Sequence, residues 1–404
     1  MRRFIEYGGF FLLSVLALFT ISMLSCLIPK NFLQNNIEKS AGILEEEGQY
    51  PKGPLRIRST TLDNFTDSLI LNVAYSAGEN KNVLVEAASN RYYSNGRDDM
   101  VKNLSEVASD EHEANVDYSR YWFGTAVIVR FLMVAFDYSS IRIILTISLS
   151  LLSILALLKL AKAFGINIAF AFGIALISLR MFMIGYSLQF SPVMFITIGV
   201  MIAVLWSRKE NYTFLFSGIL TAFFDLLTFP IVSLGFPLVV LLLKELKAKR
   251  SRKLILRKLV GSAVFWGGGY FGSYLMKFLI SGIILGKDAA LSAFGQASYR
   301  AGGHLSEMIQ ALLRNGGTMF GIWTAVIPLF ILIVWFVYAL KRGSLKKHWR
   351  DYIPFLLIAA LPHVWYLIFS NHSMVHFWFT YRAQAVSVFA VLCGMLYFAE
   401  DKNG

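Results

Sequence analysis

Gly9-Phe-Phe-Leu-Leu-Ser-Val-Leu-Ala-Leu-Phe-Thr-Ile-Ser-Met-Leu-Ser-Cys-Leu-Ile28 is the stretch that decides the fold class. It is an apolar run of about 20 residues, the length an α-helix needs to cross a bilayer. It ends at Pro29-Lys30 and opens onto a polar segment reaching to about Ser140. Beyond that segment apolar runs return again and again. The chain of 404 residues is 56% hydrophobic and only 16% charged, where soluble domains carry roughly 25% charged residues. These values exclude a soluble globular protein and predict an all-α polytopic membrane protein.

The charge pattern orients it. The formal charge of +13 belongs to short loops on one side, so it argues for membrane orientation rather than nucleic-acid binding. Arg2 and Arg3 precede the first run, which places the N-terminus in the cytoplasm and the polar segment outside. Further spans are expected over about 141–160, 166–186, 192–206, 212–229, 231–243, 259–285, 319–340, 352–369 and 377–399. The basic runs Lys159/Lys162, Arg208-Lys209, Lys244 to Lys253 and Lys341-Arg342 fall at alternate boundaries. About ten spans with both termini inside satisfy the rule that cytoplasmic loops are basic. The expected organisation is a first transmembrane helix (1–28), an extracytoplasmic module with interfacial helices (29–140), a bundle of spans 2–7 (141–285), a second external loop (286–317) and spans 8–10 (318–404). Pro192 and Pro230 mark turns between spans.

Cys26 and Cys393 fall inside apolar runs, which excludes a disulfide framework. No phosphate-binding glycine loop, paired-cysteine metal pattern or serine elbow is present. The Asn64-Phe-Thr66 glycosylation pattern is too common to carry weight, and Glu45-Glu46-Glu47 reads as a solvated acidic run.

Within the external module, Leu62, Phe65, Leu69 and Val73 recur at helical spacing. They predict a short amphipathic helix with Asp63 and Asp67 neighbours on one face. Paired carboxylates suit general-base work or a divalent metal, and equally suit helix capping or solvation. Tyr118-Ser-Arg120-Tyr-Trp122 and the following residues to Asp137, interrupted by Arg120 and Arg130, read as a helix lying on the bilayer.

Charges in the apolar part are costly and therefore informative. Asn371-His372-Ser-Met-Val-His376-Phe-Trp378-Phe-Thr-Tyr381-Arg382 is the densest cluster. On a helix, His372, His376 and Arg382 form one stripe, fitting either a phosphate grip or interfacial histidines with a snorkelling arginine. Tyr299-Arg300-Ala-Gly-Gly-His304 adds basic groups among glycines in the second external loop. Asp225 and Arg180, near the outer ends of their spans, and Lys277 are read as bundle-pairing or site-supporting charges.

This layout resembles the GT-C superfamily of integral-membrane glycosyltransferases, which includes protein O-mannosyltransferases and lipid A aminoarabinose transferases. The resemblance lies in arrangement over the whole chain and not in a tight motif; Asp-x-Asp and a C-terminal soluble domain are missing. It implies a polyprenyl-phosphate sugar donor, an envelope glycan, lipid or protein acceptor, and transfer on the extracytoplasmic side of the cell membrane. It further implies a catalytic acid in the first external loop, here Asp63 or Asp67, and a phosphate held by Arg120, Arg300, His304, His372, His376 and Arg382. A transporter, flippase or polymerase-type factor for envelope polysaccharide is the competing expectation, and a non-catalytic membrane partner a third.

Overall fold

The computed structural model describes residues 2–54, 56–79, 82–109, 112–319, 321 and 344–400. Among them there is no β-strand, only the isolated bridges Lys52–Thr61 and Tyr92–Val116. Five helices have segments long and apolar enough to cross a membrane: Ile5–Cys26, Tyr138–Phe164, Arg252–Leu285, Arg350–Ile368 and Phe377–Tyr397. The span expected at 319–340 lies almost entirely outside the described residues.

The first helix, α1 (Arg2–Cys26), leads to the polar module. There α2 (Gln34–Glu47), α3 (Asn64–Ser76), α4 (Val83–Ser89) and α5 (Met100–Ala108) follow in order. Ile37, Leu44, Leu71, Tyr75, Leu104 and Val107 are among the buried side chains of α2, α3 and α5. The expected amphipathic helix is α3, yet it is not one-sided: its polar residues Asn64, Asp67, Ser68, Asn72 and Ser76 are buried as fully as its apolar ones. Each therefore needs a hydrogen-bond partner. Asn72 finds one in the backbone of Tyr93, accepting from its N–H at 2.9 Å and donating to its carbonyl at 3.0 Å. That bond fixes the chain around Tyr92-Tyr93.

The stretch expected to lie on the bilayer folds as α6 (Gly124–Met133). Arg130 points inward, 1% exposed. Its guanidinium donates to the carbonyls of Ser25 (2.9 Å), Tyr75 (3.2 Å), Ala74 and Ile28. These are the carbonyl ends of α1 and α3 and the turn after α1, where helices leave acceptors unsatisfied and favour a cation. Asp137 caps α7 (Tyr138–Phe164) through Ser140 N–H at 2.8 Å.

The bundle continues as α8 (Ile166–Ser178), the single turn α9 (Met181–Ile184), α10 (Ser191–Trp206), α11 (Glu210–Phe224), α12 (Val232–Lys247) and α13 (Arg252–Leu285). Pro192 opens α10, where its missing N–H costs nothing. The helices α8, α10, α11 and α12 have 13, 16, 15 and 16 residues, short of the roughly 20 that span a bilayer upright. Nearly every residue of α12 is buried, as expected of a helix that is apolar all round. The helix pair α11–α13 approaches at two glycines: a Cβ on Gly218 would lie 2.1 Å from the Trp266 carbonyl oxygen, and one on Gly269 2.2 Å from that of Leu215.

The polar module is bolted to α13. The Trp122 indole donates to the Ser273 carbonyl at 2.9 Å, Ser281 to that of Ser119 at 3.1 Å, and buried Lys277 to that of Ala88 at 2.8 Å, near the C-terminal end of α4. After α13 comes an outer helix, α14 (Lys287–Ala301). Helical residues 305–319, the helix Ser344–Ile368, the short turns Ser370–Val375, Phe377–Thr380 and Tyr381–Gln384, and the closing helix Ala385–Glu400 complete the described chain.

Candidate functional site

Asp63 and Asp67 are separated by the start of α3. Asp63 is the N-cap, at φ −107 and ψ 67, outside the helix proper. Its carboxylate accepts from the Thr66 N–H at 3.2 Å and the Thr66 hydroxyl at 2.8 Å. That is a capping role, but a carboxylate has about four acceptor positions, and Asp63 also faces a cavity of about 350 Å³. Burial holds its carboxyl up at about 7, with nearby Asp67 pushing the same way against the Thr66 bonds and Arg382. A carboxyl poised near neutrality has the proton affinity a general base needs.

Asp67 does not line that cavity. It is sealed, with both oxygens occupied: Tyr138 O–H at 2.7 Å, Ser187 O–H at 3.1 Å, Leu188 N–H at 3.0 Å and Gln189 N–H at 3.0 Å. Arg142 backs it through Tyr138, donating to the phenol oxygen at 2.6 Å, and also grips Glu47 at 2.6 Å. The expectation that either Asp63 or Asp67 could serve is therefore corrected for Asp67: it clamps a turn, and no lone pair is left to take a substrate proton.

Arg300, His372 and His376 line the same cavity. The two imidazoles lie 4.6 Å apart, centre to centre. The His372 Nε2 is 2.7 Å from the Leu227 carbonyl oxygen, which can only accept, so Nε2 carries the proton and Nδ1 is the free acceptor. Burial holds His372 well below the usual imidazole range and His376 at about 4, with Arg300 pushing both further down. Both are neutral at pH 7. Burial, with Arg300 adding to it, disfavours the imidazolium forms, so these rings face the cavity as hydrogen-bonding groups more than as cations. Arg300 supplies the fixed positive charge. It bonds the Tyr121 hydroxyl.

Arg300 and Tyr121 also line a second cavity, of about 220 Å³, whose other walls are almost wholly apolar: Phe271, Leu275, Phe278, Phe294 and Phe369 among them. Arg120 stands at this groove with its guanidinium 3.9 Å from the centre of the Tyr118 ring. Among the described residues its buried Nε has no hydrogen-bond partner. The partition between the cavities is completed by the turn after α11. Leu226 lines the polar side and Leu227, at φ +64, the apolar side. A non-glycine residue held in that region marks a backbone fixed by its surroundings. Asp225 fixes it, its carboxylate accepting from the N–H of Thr228 at 3.1 Å and from the Thr228 hydroxyl. Asp225 therefore holds a turn and not an arginine.

The remaining expected residues stand elsewhere. Arg382 lines neither cavity. It is wholly buried, donates to the Leu179 and Ser59 carbonyls at 3.2 and 3.4 Å, and lies 4.4 Å from the centre of Phe190. It ties the module to α8 and the last span. Arg180, at φ +59, donates back to the Ile177 and Ser178 carbonyls and closes its own helix end. His304 is exposed, and its backbone N–H bonds Glu307. Among the described residues no three His, Cys, Asp or Glu side chains are grouped to hold a metal ion.

Among the other cavity residues, Tyr50 and Gln189 were not singled out in the sequence, and Phe65 and Trp378 were named there without a site role. Tyr50 lies parallel to Phe65 at 6.3 Å and edge-on to Trp378 at 5.7 Å, forming an aromatic wall. Gln189 had a readable signal, a carboxamide between Ser187 and Ser191 in an otherwise apolar stretch. Compared with known protein families, characterised proteins and solved structures, the chain matches none.

Proposed function

We propose that this chain is an integral-membrane glycosyltransferase of the GT-C kind, moving a sugar from a polyprenyl-phosphate donor to a cell-envelope acceptor. In this reading it crosses the membrane about ten times with both termini cytoplasmic, and the 29–140 module and the site face the extracytoplasmic side. One observation carries the proposal: a polar cavity containing Asp63, His372 and His376 shares Arg300 and Tyr121 with an apolar groove. A lipid-linked sugar has that same division, a polar ring and an apolar chain joined at a phosphate.

The donor's chain lies in the groove against Phe278 and Phe294, its phosphate beside Arg300 and Arg120, and its sugar in the polar cavity. Asp63 takes the proton of an acceptor hydroxyl as that oxygen bonds the anomeric carbon. The bond from that carbon to the phosphate oxygen breaks, and polyprenyl phosphate leaves with the electron pair. Arg300 and Arg120 meet the developing charge in a site largely closed to water, where fixed charges act most strongly. The attack inverts the anomeric centre. His372 Nδ1 accepts from, and His376 bonds, the hydroxyls of the ring.

Purified protein given a polyprenyl-phosphate sugar and an envelope acceptor fraction should release free polyprenyl phosphate, and Asp63→Asn should abolish that release. Turnover undiminished in Asp63→Asn rejects the assignment of the base. Export of an intact lipid-linked or free glycan by reconstituted vesicles, without donor cleavage, rejects the transferase itself.

A further inference from the structure

Gln189 lies in the wall of the polar cavity and is 4% exposed. Its carbonyl oxygen is sealed from solvent without a hydrogen-bond partner, and among the described residues its side-chain amide makes no hydrogen bond at all. An unpaired buried amide costs stability, about 1–3 kcal/mol by typical mutational data, so folding alone does not account for it. The backbone of the same residue is held unusually hard. Asp67 takes the N–H groups of Leu188 and Gln189 and the Ser187 hydroxyl together, and Tyr138 with Arg142 holds Asp67 in turn. The turn is rigid and the side chain it presents is unengaged. The same cavity is lined by the Tyr50, Phe65 and Trp378 rings, which offer apolar faces.

We infer that Gln189 is a specificity-determining residue that reads an adjacent pair of ring hydroxyls on a pyranose, with Asp67 as its positioning residue. This rests on the reading of the polar cavity as the sugar site. A carboxamide both accepts and donates, so it matches two neighbouring hydroxyls of which one gives and one takes a hydrogen bond. The aromatic wall takes the C–H face of the same ring. A site built to bond a hydroxyl discriminates against the analogue lacking it, because its own polar group is then stranded.

The full chain in detergent is titrated with methyl glucoside, mannoside and galactoside and their monodeoxy analogues, following tryptophan fluorescence. The wild type should favour one parent glycoside over its deoxy analogue by about tenfold, a modest ratio for a hydroxyl-reading site. Gln189→Leu, which removes both donor and acceptor, should bring that ratio to about one, whereas Gln189→Glu, which keeps an acceptor, should retain most of it. Asp67→Asn should lower the ratio as well, and adding it to Gln189→Leu should lower it no further, the signature of action through one residue. A ratio unchanged in Gln189→Leu overturns this assignment and leaves the sugar reading standing. No binding of any glycoside by the wild type overturns both. Should Asp67→Asn fail to fold, the two Gln189 variants decide the point.

Discussion

At the scale of single residues, Asp63 caps α3 and is proposed as the base, two roles that one substitution can separate. Asparagine caps a helix about as well as aspartate, so Asp63→Asn keeps the bond from the Thr66 N–H, lets its own NH2 donate to the Thr66 hydroxyl in place of the bond that hydroxyl gave, and removes the ionisable group. Loss of a general base typically costs 10²- to 10⁴-fold in rate, and a fall of that size in donor turnover is the expected outcome. The variant should not unfold more easily. Asp63 is held at about 7 by burial, above its unfolded value, so its contribution to stability is full in acid and is lost as pH rises through 7. Asp63→Asn escapes that loss, and its thermal midpoint at pH 8 should equal or exceed that of the wild type. A large drop would mean that the side chain serves only as a cap that asparagine cannot replace. The same shift fixes the pH profile. The active base is the ionised form, so kcat/KM should climb about tenfold per pH unit below 7 and level above it. His376, held at about 4, is already neutral through this window and should add no limb between pH 5 and 8. A plateau extending down to pH 5 would count against Asp63 as the base.

At the scale of elements, sequence spacing located α3 but not the directions of its two acids. Leu62, Phe65, Leu69 and Val73 gave the helix its position. The boundary fell between Asp63 and Asp67, and a residue one step outside a helix does not follow the helical azimuth. The capping pattern Asp63-x-x-Thr66 was the sign of it. Other features left no local trace. Burial pushes His372 down, with His376 and Arg300 pushing the same way and the bond to the Leu227 carbonyl, 145 positions away, opposing them, and Arg382 donates to the Leu179 and Ser59 carbonyls, 203 and 323 positions away. Charge in the sequence announces cost; only packing shows whether the cost is met by structure or kept for a ligand. Packing also sets the element-scale prediction. Gly218 and Gly269 let α11 and α13 touch backbone to backbone. Gly218→Ala places a methyl where the neighbouring atom is a main-chain oxygen, which cannot rotate aside. Overpacking of this kind costs typically 1–3 kcal/mol, read as a fall of several degrees in the thermal midpoint in detergent. Gly267→Ala on the same helix, where a Cβ meets nothing within 4 Å, should leave the midpoint unchanged or slightly raise it. Equal effects at the two positions would mean that the helices do not approach as described.

At the scale of the whole molecule, the partition between the two cavities is where the polar module, the bundle and the outer helix meet. Tyr121 comes from the module, Leu226 and Leu227 from the turn after α11, Arg300 from α14, and His372 and His376 from the turns before the last helix. These residues are scattered over most of the chain, so the site exists only when the whole fold is assembled. In the proposed reaction the apolar groove is the part that would distinguish a lipid-linked donor from a soluble one. Ala297 lines it from α14 and is otherwise exposed, so Ala297→Trp fills the groove without disturbing a packed core. A chain of many isoprene units gains about 0.8 kcal/mol for each buried methylene-sized group, and a blocked groove forfeits that gain. The expected result is a KM for a long-chain polyprenyl-phosphate sugar raised at least tenfold, with kcat little changed. A water-soluble analogue bearing a two- or three-carbon chain reaches only the phosphate and sugar subsites, so its kcat/KM should be the same in variant and wild type. The split between the two donors is the test. If Ala297→Trp lowers turnover of both equally, the substitution has damaged the site instead of its tail channel; if it affects neither, the lipid enters by another face.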